Sequence, residues 1–282
     1  MRMKVELLTM FFVCLITASG ALCDTVQGVE QRPQISSGDR ALAIWEVQNV
    51  MSKHAYYKQV NRHCEEMDDI WVNKDGLYDK TAAWTSQFGV EVGIDQIRSN
   101  YCTACVEDMK KTLEKFSKLY PAVKNVPENI GVGFMYFMHT NLTPVIEIAG
   151  DGKSAKGIWY SFGLNVLPGV SEDGKTTITT NWAPEKYAVD FVKEDGKWKI
   201  WHFVNIFEPG PVEGTQEYPK KSDKPYGARG VLPGEKPATT EGITHYITRT
   251  ATDLYTWTPT AAPEISPKFP EPYYTFSETF SY

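Results

Sequence analysis

The spacing of apolar and polar residues changes twice along the chain. From Ala41 to about Trp71 the pattern is helical: Leu42, Trp45, Val50 and Tyr57 recur at three- to five-residue intervals with polar residues between them. Asn61-Arg62-His63 marks a break. Cys64 to Trp71 reads as a second, short helix with Glu65, Glu66, Asp68 and Asp69 on a solvated outer face. Asn73-Lys74-Asp75-Gly76 is a turn. Residues 82–92 look extended. Then Ile94, Ile97, Tyr101, Cys105, Met109, Leu113 and Phe116 recur every three or four residues, the pattern of a long amphipathic helix that stops before Pro121.

From Ile130 to Phe207 the period becomes two. Strands are expected over Phe134–His139, Val145–Ile148, Ala155–Leu167, Tyr187–Lys193 and Trp198–Phe207. Gly150-Asp151-Gly152-Lys153, Ser171-Glu172-Asp173-Gly174 and Glu194-Asp195-Gly196 supply hairpin turns. Helices first and a run of antiparallel strands second is the α+β plan.

The two ends differ from this middle. Residues 1–23 open with Arg2 and Lys4, continue through an apolar run from Leu7 to Leu22, and offer small residues for cleavage at Ala18-Ser19-Gly20 or Ala21-Leu22-Cys23. That is the layout of a secretory signal peptide, and it implies a secreted or cell-envelope protein. Residues 24–40 are polar and read as a flexible lead-in, with Ser37 or Asp39 able to cap the following helix. Residues 209–282 hold 11 of the 17 prolines, punctuated by tyrosines. This extension reads as an ordered arm that wraps the domain or a neighbouring subunit, because plain disorder is poorer in aromatics.

Charge narrows the function. With 282 residues, a net charge of -6 and no block of like charges, the chain lacks the basic face that nucleic acid requires. Cys64, Cys102 and Cys105 are too few for a disulfide scaffold. Cys102 and Cys105 form a C-x-x-C without a strand–helix–strand context or a second pair, so helix packing is the expected role, and neither a metal nor a cofactor is implied.

Three phrases carry a family resemblance: Val50 to Val72; His139-Thr140-Asn141 running on through Val145 to Gly157 and Trp159-Tyr160; and Tyr187 to Ile200, with its Asp195-Gly196-Lys197-Trp198-Lys199-Ile200 hairpin. In that order they resemble the nuclear transport factor 2-like superfamily in its SnoaL-like branch, over about residues 41–208. The resemblance implies a cone-shaped, curved, mixed or antiparallel sheet with three N-terminal helices around an apolar pocket. Members include dehydratases, isomerases, polyketide cyclases and plain binding modules, and dimers are common among them.

In the dehydratases of that branch a helix tyrosine, a helix aspartate and a strand histidine do the chemistry. The resemblance puts the tyrosine on Tyr56, with Tyr57 as its neighbour, and the histidine on His139. The aspartate position falls on Asn61, or near His63 if the alignment shifts by two. Asparagine can orient a carbonyl but cannot take a proton at neutral pH. Gly163 and Asn205 stand where an acidic and a basic residue are expected. Histidine therefore remains as the proton carrier. Strict alternation puts His202 on one face with Trp198, Ile200 and Val204, and Asn205 on the other with Trp201 and Phe203, so His202 and Asn205 cannot both line one pocket. Tyr160 and Tyr187 are further hydroxyl donors.

Two functions follow as expectations. One is a cofactor-free lyase or isomerase acting on a polycyclic or aromatic small molecule of steroid, polyketide or phenolic type, with His139, Tyr56 and Asn61 catalytic. The other is a non-catalytic module of the cell envelope that binds a ligand or mediates homo-oligomerisation.

Overall fold

Ser36 opens the first helix: its hydroxyl accepts a hydrogen bond from the Asp39 amide at 3.1 Å and satisfies one of the free donors of the first turn. The computed structural model describes residues 32–74, 76–86, 89–170, 174–208 and 265–282. The chain divides into two units, Met1–Gln34 and Ile35–Tyr282, and the second contains every element below. The expected signal peptide (1–23) and most of the expected arm (209–264) lie outside the described residues.

Helix α1 spans Ser37–Gln59, so it begins inside the segment expected as a lead-in, and its cap is Ser36 rather than Ser37 or Asp39. Its buried positions are Ala43, Val47, Val50, Met51, His54 and Lys58. These lie one helical turn apart on a single face. Leu42 and Trp45, the residues that suggest the apolar stripe in the sequence, are instead 55% and 64% exposed. The stripe ends in a histidine and a lysine, which is why apolar spacing alone misplaces it. α1 ends at Gln59, and Asn61, with a φ of 57°, turns the chain just beyond it. α2 (His63–Ile70) and the short α3 (Leu77–Thr81) follow. The long helix expected from Ile94 is broken into α4 (Ile94–Ile97), a π-helical stretch (Arg98–Ala104) and α5 (Cys105–Leu119).

The strands are β1 (Ala83–Ser86), β2 (Gly89–Val92), β3 (Tyr136–His139), β4 (Leu142–Ile148), β5 (Ser154–Val170), β6 (Thr176–Glu194) and β7 (Lys197–Phe207). They form a seven-stranded sheet in the order β2-β1-β7-β6-β5-β3, with β4 also pairing with β5. Only β1 and β7 are parallel. The long β5–β6 pair runs from Ser154↔Val192 to Val170↔Thr176.

A bulge fixes which side chains share a face. Asp190 pairs with His202, yet Phe191 pairs with Ile200, so Trp201 is an extra residue on β7. Side-chain parity flips there. Trp198 and Ile200 therefore share a face with Phe203 and Asn205, and His202 stands on the opposite face with Val204. The strict alternation expected from the sequence fails at that one residue.

The inner face packs on the helices through Trp71, Trp159, Phe191 and Phe203, all fully buried. Trp84 stacks on Phe203 with ring centres 4.9 Å apart. Each such side chain contributes about 1.5–3 kcal/mol by burial. The outer face is covered in part by residues 265–282: the Gly150 and Asp151 amides donate to the Tyr273 and Tyr274 carbonyls, and Phe276, Phe280 and Tyr282 surround the ammonium of Lys156.

Candidate functional site

His139 ends β3 and pairs with Gly163 of β5. A Cβ at position 163 would lie 2.6 Å from two atoms of the His139 ring and 2.9 Å from the Ala183 carbonyl oxygen. Glycine at this position lets the imidazole lie against the strand. The pairings Ser161↔Glu185 and Trp159↔Tyr187 put Ser161, Glu185 and Tyr187 on the same inner face. Lys58 enters from the last turn of α1, at the end of its buried stripe.

These side chains form one network. His139 Nδ1 is 3.2 Å from Glu185 Oε2 and 3.2 Å from Ser161 Oγ. Tyr187 donates its hydroxyl to Glu185 Oε2 at 2.6 Å. Lys58 Nζ donates to Glu185 Oε2 and to the Tyr187 oxygen, each at 3.2 Å. Ser161 donates to the Tyr187 oxygen at 3.1 Å. The side chains of His139 and Glu185 are 1% and 3% exposed. Burial alone would raise the Glu185 carboxyl, but the Lys58 ammonium, with hydrogen bonds from His139 and Tyr187, holds it far below the usual carboxylate range. Burial and the same carboxylate push the Tyr187 phenol well above its ordinary value, so it stays a donor.

The geometry selects a tautomer. A neutral imidazole has one donor and one acceptor nitrogen. A carboxylate can only accept, so Glu185 favours the proton on Nδ1. Nε2 then carries the lone pair. It lies 3.0 Å from the side-chain amide oxygen of Asn165, and turning that amide over offers an N–H donor instead. Asn165 is only half-buried, so Nε2 is on the more open side of the cluster. The arrangement can take up a proton at Nε2 and stabilise the resulting imidazolium through Glu185.

A second buried network centres on Glu66 of α2. His54 Nδ1 is 2.7 Å from Glu66 Oε1, the Tyr101 hydroxyl donates to Glu66 Oε2 at 2.8 Å, and the Trp71 indole donates to Oε1 at 3.3 Å. Glu66 is fully buried, which corrects its expected place on a solvated face; Glu65 and Asp68 are exposed as expected. Burial would raise the Glu66 carboxyl, but the imidazoles of His54 and His63 outweigh it and bring it down to about 2. The His54 ring meets Tyr187 edge-on at 5.6 Å, so the two networks touch.

The residues nominated from sequence are scattered. Tyr187 joins His139 in the inner cluster. Tyr56 is 73% exposed on the outer side of α1, in a shallow depression with Lys53, Tyr57, Val60 and Arg62, and does not meet His139. Tyr57 donates to Asp69 at 3.0 Å instead. Asn61 is buried and donates to the Met135 carbonyl at 2.6 Å. His63 packs on Tyr101, 3.8 Å from Glu66, and burial pushes its imidazole down. Asn205 pairs with Tyr187 on the inner face, and its side-chain oxygen has no partner among the described residues. Tyr160 and His202 lie on the outer face. Tyr160 is 54% exposed under the Lys186 ammonium. His202 Nδ1 meets Asp190 at 2.8 Å and Ser281 at 2.9 Å, while Nε2 meets the Thr81 carbonyl. His202 and Asn205 lie on opposite faces of the sheet, and the residues that share each face with them change with the bulge.

Lys58, Ser161, Asn165 and Glu185 are absent from the sequence-based list. Glu185 and Ser161 carry one signal that could have marked them: each is a polar residue on the side of its strand that also turns large apolar side chains inward, Trp159 on β5 and Val189 and Phe191 on β6. Cys102 is also more than helix packing. It forms a disulfide with Cys64, 38 residues away, and leaves Cys105 as a buried thiol. Among the described residues no group of three or more His, Cys, Asp or Glu side chains is arranged to hold a metal ion.

The family model of the SnoaL-like domain matches residues 39–204. The chain belongs to the SnoaL-like domain family. No curated protein matches it. Solved structures that it resembles include a protein of Novosphingobium aromaticivorans named for scytalone dehydratase, at 11% identity over 67% of this chain and 100% of that one, with a TM-score of 0.43. A type 3 hexachlorocyclohexane dehydrochlorinase from Novosphingobium barchaimii is 15% identical over 65% of this chain and 99% of that one, with a TM-score of 0.41. A Kribbella flavida protein is 11% identical over 61% and 94%, with a TM-score of 0.42. Within the SnoaL-like frame this chain has Asn61 where the resemblance led us to expect an aspartate, and it brings a carboxylate to His139 from β6 instead.

Proposed function

We propose that this SnoaL-like chain is a cofactor-free lyase or isomerase acting on an apolar small molecule of steroid, polyketide or phenolic type. The observation that carries this reading is the pairing of His139 with the buried carboxylate Glu185. It leaves Nε2 as the base on the side of the half-buried Asn165, where a substrate carbon or hydroxyl would present its proton. Tyr187 and Ser161 hold the dyad in place, and the family membership makes a small molecule the natural class of ligand. The test is turnover of a panel of enolisable and hydratable steroids and phenolics by the wild type, His139→Gln and Glu185→Gln. Activity lost by more than about 100-fold in His139→Gln is expected of a general base. No turnover on any member, or equal turnover in the variant, removes the assignment.

One observation favours a second reading. The His139 and Tyr187 side chains are closed off from solvent, while Tyr160, Phe162 and Trp182 are each about half exposed on the outer sheet face. A binding or homo-oligomerising module would need the second feature and not an open path to the first. Sedimentation of the full chain tests it, with a concentration-dependent dimer as the expected result. Export to an oxidising compartment is also our inference. It is supported by the N-terminal pattern and by the Cys64–Cys102 disulfide, a bond that reducing cytosol does not sustain.

A further inference from the structure

Lys58 is a buried lysine that the proposed reaction does not yet use. It stands on α1, faces Glu185 and Tyr187 of β6, and has a side chain only 11% exposed. A lone ammonium in such a place is costly unless it is paired. The groups around Glu185 come from four elements: Lys58 from α1, His139 from β3, Ser161 from β5 and Tyr187 from β6 itself. Of these, only Lys58 carries a fixed positive charge. Ser161 touches the Tyr187 hydroxyl and His139 Nδ1 and carries no charge, and His139 is the group whose proton is to be placed. Without Lys58 the buried carboxyl would be pushed toward its neutral, protonated form. A protonated Glu185 could donate to Nδ1 rather than accept from it. The tautomer of His139 would then reverse, and Nε2 would carry the proton and cease to be a base.

We propose that Lys58 is a positioning residue: its ammonium holds Glu185 as a carboxylate and so fixes the proton of His139 on Nδ1. This rests on the reading of His139 as the base, but its test needs no substrate. Histidine-labelled protein is measured by nitrogen NMR, with His139→Gln identifying the His139 signals. In the wild type, Nδ1 carries the proton and Nε2 has the shift of a bare ring nitrogen. In Lys58→Met, the share of Nδ1–H relative to Nε2–H falls by more than about tenfold, because a charge 3.2 Å from the carboxylate has gone. Lys58→Arg restores it. Lys58→Gln, which keeps a hydrogen-bond donor without the charge, behaves like Met and serves as the reading if the Met variant does not fold. A wild type that carries the proton on Nε2, or a Gln or Met variant with an unchanged Nδ1–H share, overturns the proposal. Turnover is read separately on the same proteins: a panel without any substrate removes the enzyme assignment and leaves the tautomer result standing. Where turnover exists, the Lys58 variants lower kcat more than they change KM and shift the pH profile. A merely structural lysine would alter neither the profile nor the tautomer.

Discussion

Glu185 reaches across the β5–β6 pair to within 3.2 Å of His139 Nδ1, so the carboxylate beside the imidazole comes from a strand. The same oxygen accepts from Tyr187 and Lys58. Glu185→Gln keeps the shape but leaves Lys58 as an uncompensated buried cation. The expected cost is about 3–5 kcal/mol of stability, the range for breaking a buried pair from one side. Urea unfolding measures it. In Lys58→Met/Glu185→Gln both charges are gone, and stability should recover by at least half. Additive losses in the double variant would mean that the two side chains are not coupled.

Gly163 makes room for the imidazole. Gly163→Ala would bring a methyl group 2.6 Å from the His139 ring and 2.9 Å from the Ala183 carbonyl. The ring has to leave its place between Ser161, Glu185 and Asn165. About 1–3 kcal/mol of stability should be lost, as for an overpacked core, together with the Nδ1–H signature of His139. An unchanged His139 spectrum in the alanine variant would show that the strand relaxes instead.

The order of elements is legible in the sequence because period and turn chemistry act locally: the hairpins at Gly150–Lys153 and Glu194–Gly196 fall where glycine and aspartate put them. His139 and Tyr187 are legible as polar residues in apolar strands. The rest of the site is not. Lys58 is hidden because a lysine at the end of a helix reads as solvated, and its burial depends on Glu185, 127 residues away. Glu66 misleads in the same way. The face of His202 follows from alternation, but those of Trp198 and Ile200 do not. One extra residue, Trp201, breaks the period, and only the pairing with β6 reveals it.

Glu66 gives the protein an acid limb. Its carboxyl sits at about 2 when folded, against an ordinary 4.5, with His54 and His63 outweighing the opposing effect of burial. A depressed carboxyl stabilises the fold fully above its unfolded value, and that contribution is lost as pH falls from about 4.5 towards 2. A shift of this size is worth on the order of 3 kcal/mol. Urea midpoints measured between neutral pH and pH 2.5 should fall steeply in the wild type and less steeply in Glu66→Gln. Parallel curves for the two proteins would place the acid sensitivity elsewhere.

The disulfide between Cys64 and Cys102 ties α2 to the π-helical stretch and closes a loop of 38 residues. Chain-entropy arguments give such a loop about 4 kcal/mol. Cys64→Ser/Cys102→Ser should therefore lower the thermal midpoint by several degrees or more. The same comparison isolates Cys105. Burial pushes its thiol up to about 12, so it should stay unreactive towards a thiol reagent at neutral pH in both proteins and react only on unfolding. Rapid labelling of folded protein at Cys105 would contradict the buried position.

Lys156 and Asp190 form a further fully buried pair, on the outer face, where the last residues of the chain cover them. Lys156 also donates to the Phe280 carbonyl and lies 4.5 Å from the Phe280 ring centre and 4.3 Å from that of Tyr282. Asp190 in turn accepts from the Tyr282 amide and from Ser281. Sheet pair and tail are thus one unit: removing the carboxylate should release the tail as well as destabilise the sheet. Asp190→Asn is expected to cost about 3–5 kcal/mol by leaving the ammonium unpaired. It should also make the segment after Ile265 accessible to limited proteolysis under conditions where the wild type is cut slowly. Phe280→Ala keeps the ion pair and should open the tail with a smaller loss of global stability, so the two variants separate tail docking from the pair itself. A tail equally protected in all three proteins would mean that contacts such as Gly150 to Tyr273 hold it without Lys156.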